Sequence, residues 1–157
     1  MSRNICLLSF LVSCLLISCN NGRVFEKNYK IPDGIWDRYK PVTFEVQIQD
    51  TVSAHDLYIN VRNSSLYPMR NLFLYVRTTA PSGHSITDTV EIMLADEKGR
   101  WYGSGLGDIL DLSQLYKENI RFAQEGLYIF SCEQATRIEK LPYILDVGLR
   151  VERSDVK

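Results

Sequence analysis

This chain is poor in the residues that carry redox, metal or nucleophilic chemistry. It has two histidines, His55 and His84, far apart and each in turn-like surroundings, and no Cys/His spacing of the kind that holds zinc. Of its four cysteines, Cys6 and Cys14 fall in an apolar leading segment and Cys19 closes that segment. Cys132 stands alone in the body, which excludes an intramolecular disulfide there. A lone cysteine in the strand-like run Leu127-Tyr128-Ile129-Phe130-Ser131-Cys132 reads as a small core residue. Charge of one sign is also missing: 18 Lys and Arg oppose 19 Asp and Glu, a net charge of −1. That balance excludes the concentrated basic surface that nucleic acid requires. Beyond the leading segment there is no long apolar run, no internal repeat, no low-complexity stretch and no long helical pattern.

What the chain does have begins at its first residues. Met1 to Asn4 carries Arg3, and Ile5 to Ile17 is an apolar run, shorter than the roughly 20 residues of a spanning helix. The run ends in Leu16-Ile17-Ser18-Cys19, a lipobox. The small Ser18 suits a peptidase cut, and the Cys19 thiol is the nucleophile that accepts a diacylglycerol as a thioether. Buried acyl chains gain about 0.8 kcal/mol per methylene, and two chains hold where one is marginal. The expectation is a signal peptide over 1–18, a lipidated Cys19 with a short tether over 19–28, and a soluble body over 29–157. Removing 1–18 takes away Arg3 alone and leaves a formal charge of −2.

The body reads as β structure. In Val42-Thr43-Phe44-Glu45-Val46-Gln47-Ile48-Gln49 every even position is apolar and every odd one polar, the period of a strand with one buried face. Leu57, Ile59 and Val61 repeat the pattern after a turn over 50–56, so an antiparallel pairing of these two strands is the economical expectation. Leu72 to Thr78 has apolar or aromatic groups on both faces and suggests a central strand. Ser85 to Leu94 follows, and Asp96-Glu97-Lys98-Gly99 turns the chain into Arg100-Trp101-Tyr102. The cluster Gly103-Ser104-Gly105-Leu106-Gly107 lacks the Lys-Ser/Thr of a phosphate loop and reads as a sharp corner. Asp108 to Tyr116 has helical spacing over one or two turns, with a short strand at Ile109–Leu112 as the alternative. Lys117 to Gly126 suggests a short edge strand, and Leu127–Glu133 and Ile144–Glu152 are the last two strands. Trp36 reads as a plug at one end of the core. About eight short strands separated by turns predict an all-β, single-domain antiparallel sandwich, jelly-roll or immunoglobulin-like.

The ordered set of short motifs resembles the GldH family of gliding-motility lipoproteins of the Bacteroidota. It comprises the lipobox, Trp36 and Tyr39, the strand Val42–Gln49, Arg62-Asn63, Tyr67-Pro68, Asn71-Leu72 and Asp88-Thr89-Val90-Glu91. It continues through Gly99 to Gly107, Gly126-Leu127-Tyr128, Gln134 to Arg137, Leu141 and Asp146 to Arg150, over nearly the whole mature length. The resemblance implies a membrane-anchored accessory protein of the gliding machinery, which is tied to the type IX secretion apparatus. It brings no enzymatic activity, cofactor, metal or catalytic residue. It also leads one to expect methionine at 136, where Thr136 stands. Asn20-Asn21-Gly22-Arg23 has none of the acidic residues that mark surface-exported lipoproteins in these bacteria, so the body is expected to face the periplasm.

Three kinds of function can be set against the residues. A non-catalytic assembly protein would offer a binding face, with Arg62, Tyr67, Arg70, Trp101 and Tyr102 available for it. A periplasmic glycan- or peptidoglycan-binding module would need Trp36, Tyr39, Trp101 and Tyr102 to share an exposed face. A hydrolase would need Asp108 and Asp111, or Asp96 and Glu97, at catalytic separation. Both pairs sit in turn-like sequence where solvated carboxylates are the rule. The first reading is preferred, with lipidated Cys19 as its one assigned residue.

Overall fold

A computed structural model describes residues 22–154, so the signal segment, Cys19 and the last three residues lie outside the described part. Ten strands and one 3-10 turn make up the fold: β1 (Arg23–Lys30), the turn Pro32–Gly34, β2 (Ile35–Asp37), β3 (Val42–Ile48), β4 (His55–Ser64), β5 (Asn71–Thr79), β6 (Ser85–Met93), β7 (Ile109–Ile120), β8 (Gly126–Gln134), β9 (Lys140–Pro142) and β10 (Ile144–Arg153). One four-stranded sheet has the order β1-β10-β4-β7, the other β3-β8-β5-β6, and β2 pairs with β9 in a small third sheet. Every pairing is antiparallel.

The alternation seen in sequence is what builds the core. Val42, Phe44, Val46 and Ile48 of β3 are buried and the residues between them exposed. Leu57, Ile59 and Val61 of β4 do the same from the opposite sheet, joined by Leu72, Leu74 and Val76, Phe130 and Cys132, and Val147, Leu149 and Val151. The central place expected for β5 is observed, between β8 and β6. Trp36 is buried at one end, where its indole Nε1 donates to Lys40 O at 3.1 Å. Cys132 is fully buried, and desolvation pushes its thiol up to about 12, which keeps it protonated and unreactive.

Four expectations need correction. β3 and β4 do not pair: β3 bonds to β8, while β4 lies between β10 and β7. Both strands turn an apolar face to one core, so the intervening loop carries the chain from one sheet to the other. The helical turn expected after Asp108 is instead part of β7, a twelve-residue edge strand with only half-buried alternation. Residues 23–28, expected as tether, belong to β1, so the sandwich starts at Arg23 and not at Tyr29. β1 is an edge strand, exposed at most positions, so little of it needed to be apolar; Phe25 contributes by packing edge-on against Phe44, with ring centroids 6.4 Å apart. His55, finally, is no turn residue: it opens β4 and is buried.

The two sheets are closed along one side by side chains. The Gln114 amide of β7 reaches the edge of β6 that no strand occupies among the described residues. There its Oε1 accepts the Met93 N–H and its Nε2 donates to Glu91 O, both at 3.0 Å. Beside it Asp88 accepts from the Tyr116 hydroxyl and pairs with Lys117 at 2.7 Å, which holds the Asp88 carboxyl below its usual range. An amide that meets both backbone groups substitutes for a neighbouring strand and blunts the edge.

His55 is the one core residue whose polar atoms are left over. Its ring packs edge-on to Phe122 at 5.2 Å, and neither nitrogen has a hydrogen-bond partner among the described residues. Burial therefore lowers its pKa, against the opposing pull of Asp50, the Ser53 backbone and Asp56, with Arg153 adding to the depression. The folded state keeps His55 neutral, while the unfolded chain takes up a proton as the pH falls through its ordinary value near 6.5. Stability is thus full above that value and declines below it, by at most about 1.4 kcal/mol per pH unit for one proton. His55→Phe is expected to flatten this decline between neutral and mildly acidic pH in urea titrations. An unchanged slope would rule out His55 as its source.

Candidate functional site

The outward face of the first sheet carries the most organised polar constellation among the described residues. Alternation places the even positions of β4 outside, opposite the buried Leu57, Ile59 and Val61. Register then aligns them with neighbours in transverse rows. One row is Asn28, Gly148, Asn60 and Ser113, across all four strands. Asn60 is its hub: its Nδ2 donates to Asn28 Oδ1 and Glu26 Oε1, each at 3.2 Å, and its Oδ1 accepts from Ser113 Oγ at 2.7 Å. Gly148 makes room here: a Cβ would lie 1.8 Å from Asn28 Oδ1, which would have to swing away, and 3.0 Å from Lys27 O. The glycine lets the Asn28 amide lie flat across the sheet.

The adjacent row is Asp146, Arg62 and Asp111. Arg62 Nε meets Asp111 Oδ1 at 2.7 Å, its second nitrogen meets Oδ2 at 3.3 Å, and its third reaches Asp146 Oδ2 at 3.2 Å. This forked geometry is specific to a guanidinium. On the other side, the Arg150 guanidinium lies 4.1 Å from the centre of the Tyr58 ring and 3.4 Å from Glu152. Together these rows rim a shallow cup of about 250 Å³.

A second surface lies at the end of the sandwich away from Arg23. Leu106 and Leu66 are 92% and 64% exposed there, on loops joined by the Ser65 N–H to Asp108 O bond of 2.8 Å. Tyr102 is exposed beside them, and Arg70 O receives the N–H groups of Leu94 and Ala95. The glycine cluster makes the corner expected of it. Ser104 and Asp111 bridge, and at Gly105 a Cβ would fall 1.9 Å from Ile109 O, so only glycine lets the two backbones approach.

The residues singled out in sequence are distributed as follows. Arg62 belongs to the polar face, Arg70 and Tyr102 to the far end, and Trp101 is half-buried against the core. Tyr67 is buried, with its hydroxyl donating to Asn71 O at 3.1 Å, so it offers no contact surface. Trp36 is buried too, leaving only Tyr39 and Tyr102 of the four proposed sugar-stacking aromatics well exposed. Three of the four candidate carboxylates, Asp96, Asp108 and Asp111, have structural partners. Asp96 accepts from the backbone of Arg100 and Lys98 and from the Arg100 guanidinium, which lowers its pKa. Asp111 is held by Arg62, and Asp108 Oδ1 accepts from Ser65 Oγ at 3.2 Å. Among the described residues no three His, Cys, Asp or Glu side chains gather to hold a metal, and no helix is long and apolar enough to cross a membrane. Cys19 lies outside the described residues. Sequence reasoning did not single out Glu26, Asn28, Asn60 or Ser113; the signal available was Gly148, a glycine inside a strand between the apolar Val147 and Leu149.

Fold and surface together define a small β-sandwich with an organised polar sheet face and a loop-built end, the kind of body that makes contacts with other molecules. Residues 23–151 match the profile of the GldH lipoprotein family. The chain is 37% identical over 148 residues to a gliding motility lipoprotein GldH homolog of Christiangramia forsetii, covering 90% of each chain. It is 36% identical over 152 residues to the gliding motility lipoprotein GldH of Flavobacterium johnsoniae, covering 92% of this chain and 94% of that one. No solved structure gives a significant match. The chain belongs to the GldH lipoprotein family and is a membrane-anchored lipoprotein of the cell envelope.

Proposed function

We propose that this protein is a non-catalytic accessory lipoprotein of the gliding and type IX secretion apparatus, held by lipid on Cys19, facing the periplasm and binding protein partners through its polar sheet face. The observation that carries this reading is the Arg62 row. Its charged groups are fixed by one another in a flat, preorganised array, which suits recognition of a folded surface more than proton transfer or bond cleavage. The family relationship supports the setting, since both curated relatives are named for gliding motility.

The test is affinity purification of the tagged, lipidated protein from its native membrane. Wild type is expected to enrich gliding or type IX secretion components, and Cys19→Ser to leave the membrane and lose them. Arg62→Ala is expected to stay in the membrane and to lose partners. Its stability should change by only about 0–1 kcal/mol, because Arg62 and its main partner Asp111 are solvent-exposed. Recovery of the protein alone, or with cell-wall glycan, would reject the accessory reading in favour of a sugar-binding module.

A further inference from the structure

The chain becomes part of the folded body almost immediately after its anchor. Gly22 O accepts the Arg153 N–H at 2.9 Å, so residue 22 is already tied to the end of β10. Only Asn20 and Asn21 separate it from Cys19. Even fully extended, the Cα atoms of residues 19 and 22 are at most about 11 Å apart, at ~3.6 Å per residue. A lipid on Cys19 therefore leaves this end of the sandwich no room to stand clear of the headgroups.

We infer that the end formed by Gly22, the loop over 50–54 and Arg153 rests on the bilayer that holds the lipid, with Val52 in the headgroup region. The opposite end, with Leu66, Leu106 and Tyr39, then points away. This rests on Cys19 being the lipidated residue.

Three features of this end fit that placement. Val52 is an apolar side chain at a loop tip, 82% exposed, and moving it among the headgroups would take its apolar area out of water. The loop is ordered in advance: Asp50 Oδ1 accepts the N–H groups of Val52 and Ser53, Arg121 Nε donates to Val52 O, and Ser154 N donates to Ala54 O. Charges at this end of the sandwich are also paired at close range, Arg153 of β10 with Asp50 of the loop at 3.3 Å and Arg23 with Glu26 of β1 at 2.6 Å. A matched surface meets anionic headgroups without net repulsion.

The experiment places an environment-sensitive fluorophore on Val52→Cys, Leu106→Cys or Tyr39→Cys, one at a time, in the full lipidated chain. Cys132 is fully buried and does not compete for label. The protein is reconstituted into vesicles of phosphatidylethanolamine and phosphatidylglycerol containing a nitroxide-labelled lipid, and flotation of the same sample reports the anchor separately. Several-fold stronger quenching at 52 than at 106 and 39 is expected. Inserting a Gly-Ser segment of about 20 residues after Asn21, with a reach of roughly 25 Å, is expected to abolish that difference. Equal quenching at all three sites in floating protein would overturn the orientation while leaving the anchor intact. A difference that survives the insertion would overturn the short tether as its cause. Protein that fails to float would overturn lipidation at Cys19, and the inference with it.

Discussion

Trp36→Ala is expected to lower the free energy of unfolding by roughly 4 kcal/mol, the scale for emptying a large buried aromatic site. Trp36 is among the largest fully buried side chains and lies on β2, opposite Leu141 of β9, which is itself buried. This two-stranded sheet covers one end of the sandwich, and its short ladder has only three pairs. Removing the indole opens a void that three-residue strands cannot refill from their own side chains. It also withdraws the Nε1 donor from Lys40 O, which helps hold the turn before β3. A urea titration followed by far-ultraviolet circular dichroism measures the loss without relying on the deleted fluorophore. A midpoint close to that of wild type would show that β2 and β9 are peripheral to stability.

Gln134→Leu is expected to destabilise by roughly 3 kcal/mol, although leucine is similar in size and better suited to a core. Gln134 is fully buried at the end of β8 and all of its hydrogen-bonding capacity is engaged. Its Oε1 accepts from Thr136 N at 2.9 Å and from Thr136 Oγ1 at 2.6 Å, and its Nε2 donates to Ile138 O at 2.6 Å and Glu139 O at 3.2 Å. Leucine would orphan several of these groups, each worth about 1–3 kcal/mol when stranded away from water. The effect lies well outside that of a conservative core exchange, so the same titration distinguishes the two. Gln134→Glu carries a second signature. A buried carboxylate facing two carbonyl oxygens would prefer to be protonated, so its penalty should shrink as the pH falls. A pH-independent penalty would contradict this network.

The same network revises what Thr136 means. The family resemblance leads one to expect methionine at 136, and threonine there removes apolar bulk. In the fold the hydroxyl donates to Gln134 and also receives the Ile138 N–H at 3.3 Å. Thr136 therefore contributes polar satisfaction that a thioether could not supply.

Legibility followed the kind of interaction involved. The β3 strand could be read residue by residue because one face is fully buried and the other fully exposed, so the period of two is unblurred. Trp36 and Cys132 could be assigned to the core because bulk and hydrophobicity decide burial. The partner of β3 could not be found, because pairing with β8 joins residues 78 (Ile48 with Gly126) to 90 (Val42 with Cys132) positions apart and leaves no local pattern. β7 was obscured by its edge position: its apolar residues are half-exposed, and its pairing with β4 is bulged around Leu57. β1 hid for a related reason, since a mostly solvated strand has the composition of a linker. The polar face was invisible because Asn28, Asn60 and Ser113 are unremarkable singly and acquire meaning only when register lines them up over Gly148.

The bond from Arg153 to Gly22 has a mechanical consequence. A pull on the lipid against a partner that holds the body enters the fold through the first residue of β1, and it is directed along that strand's axis. Along its length β1 is hydrogen-bonded to β10 by bonds that lie across the direction of load. Such a ladder is sheared as a whole, its bonds bearing the tension in parallel, where a strand peeled from its end would lose them one after another. The edge strand that resembled a tether is thus the element through which force would be transmitted to the sheet.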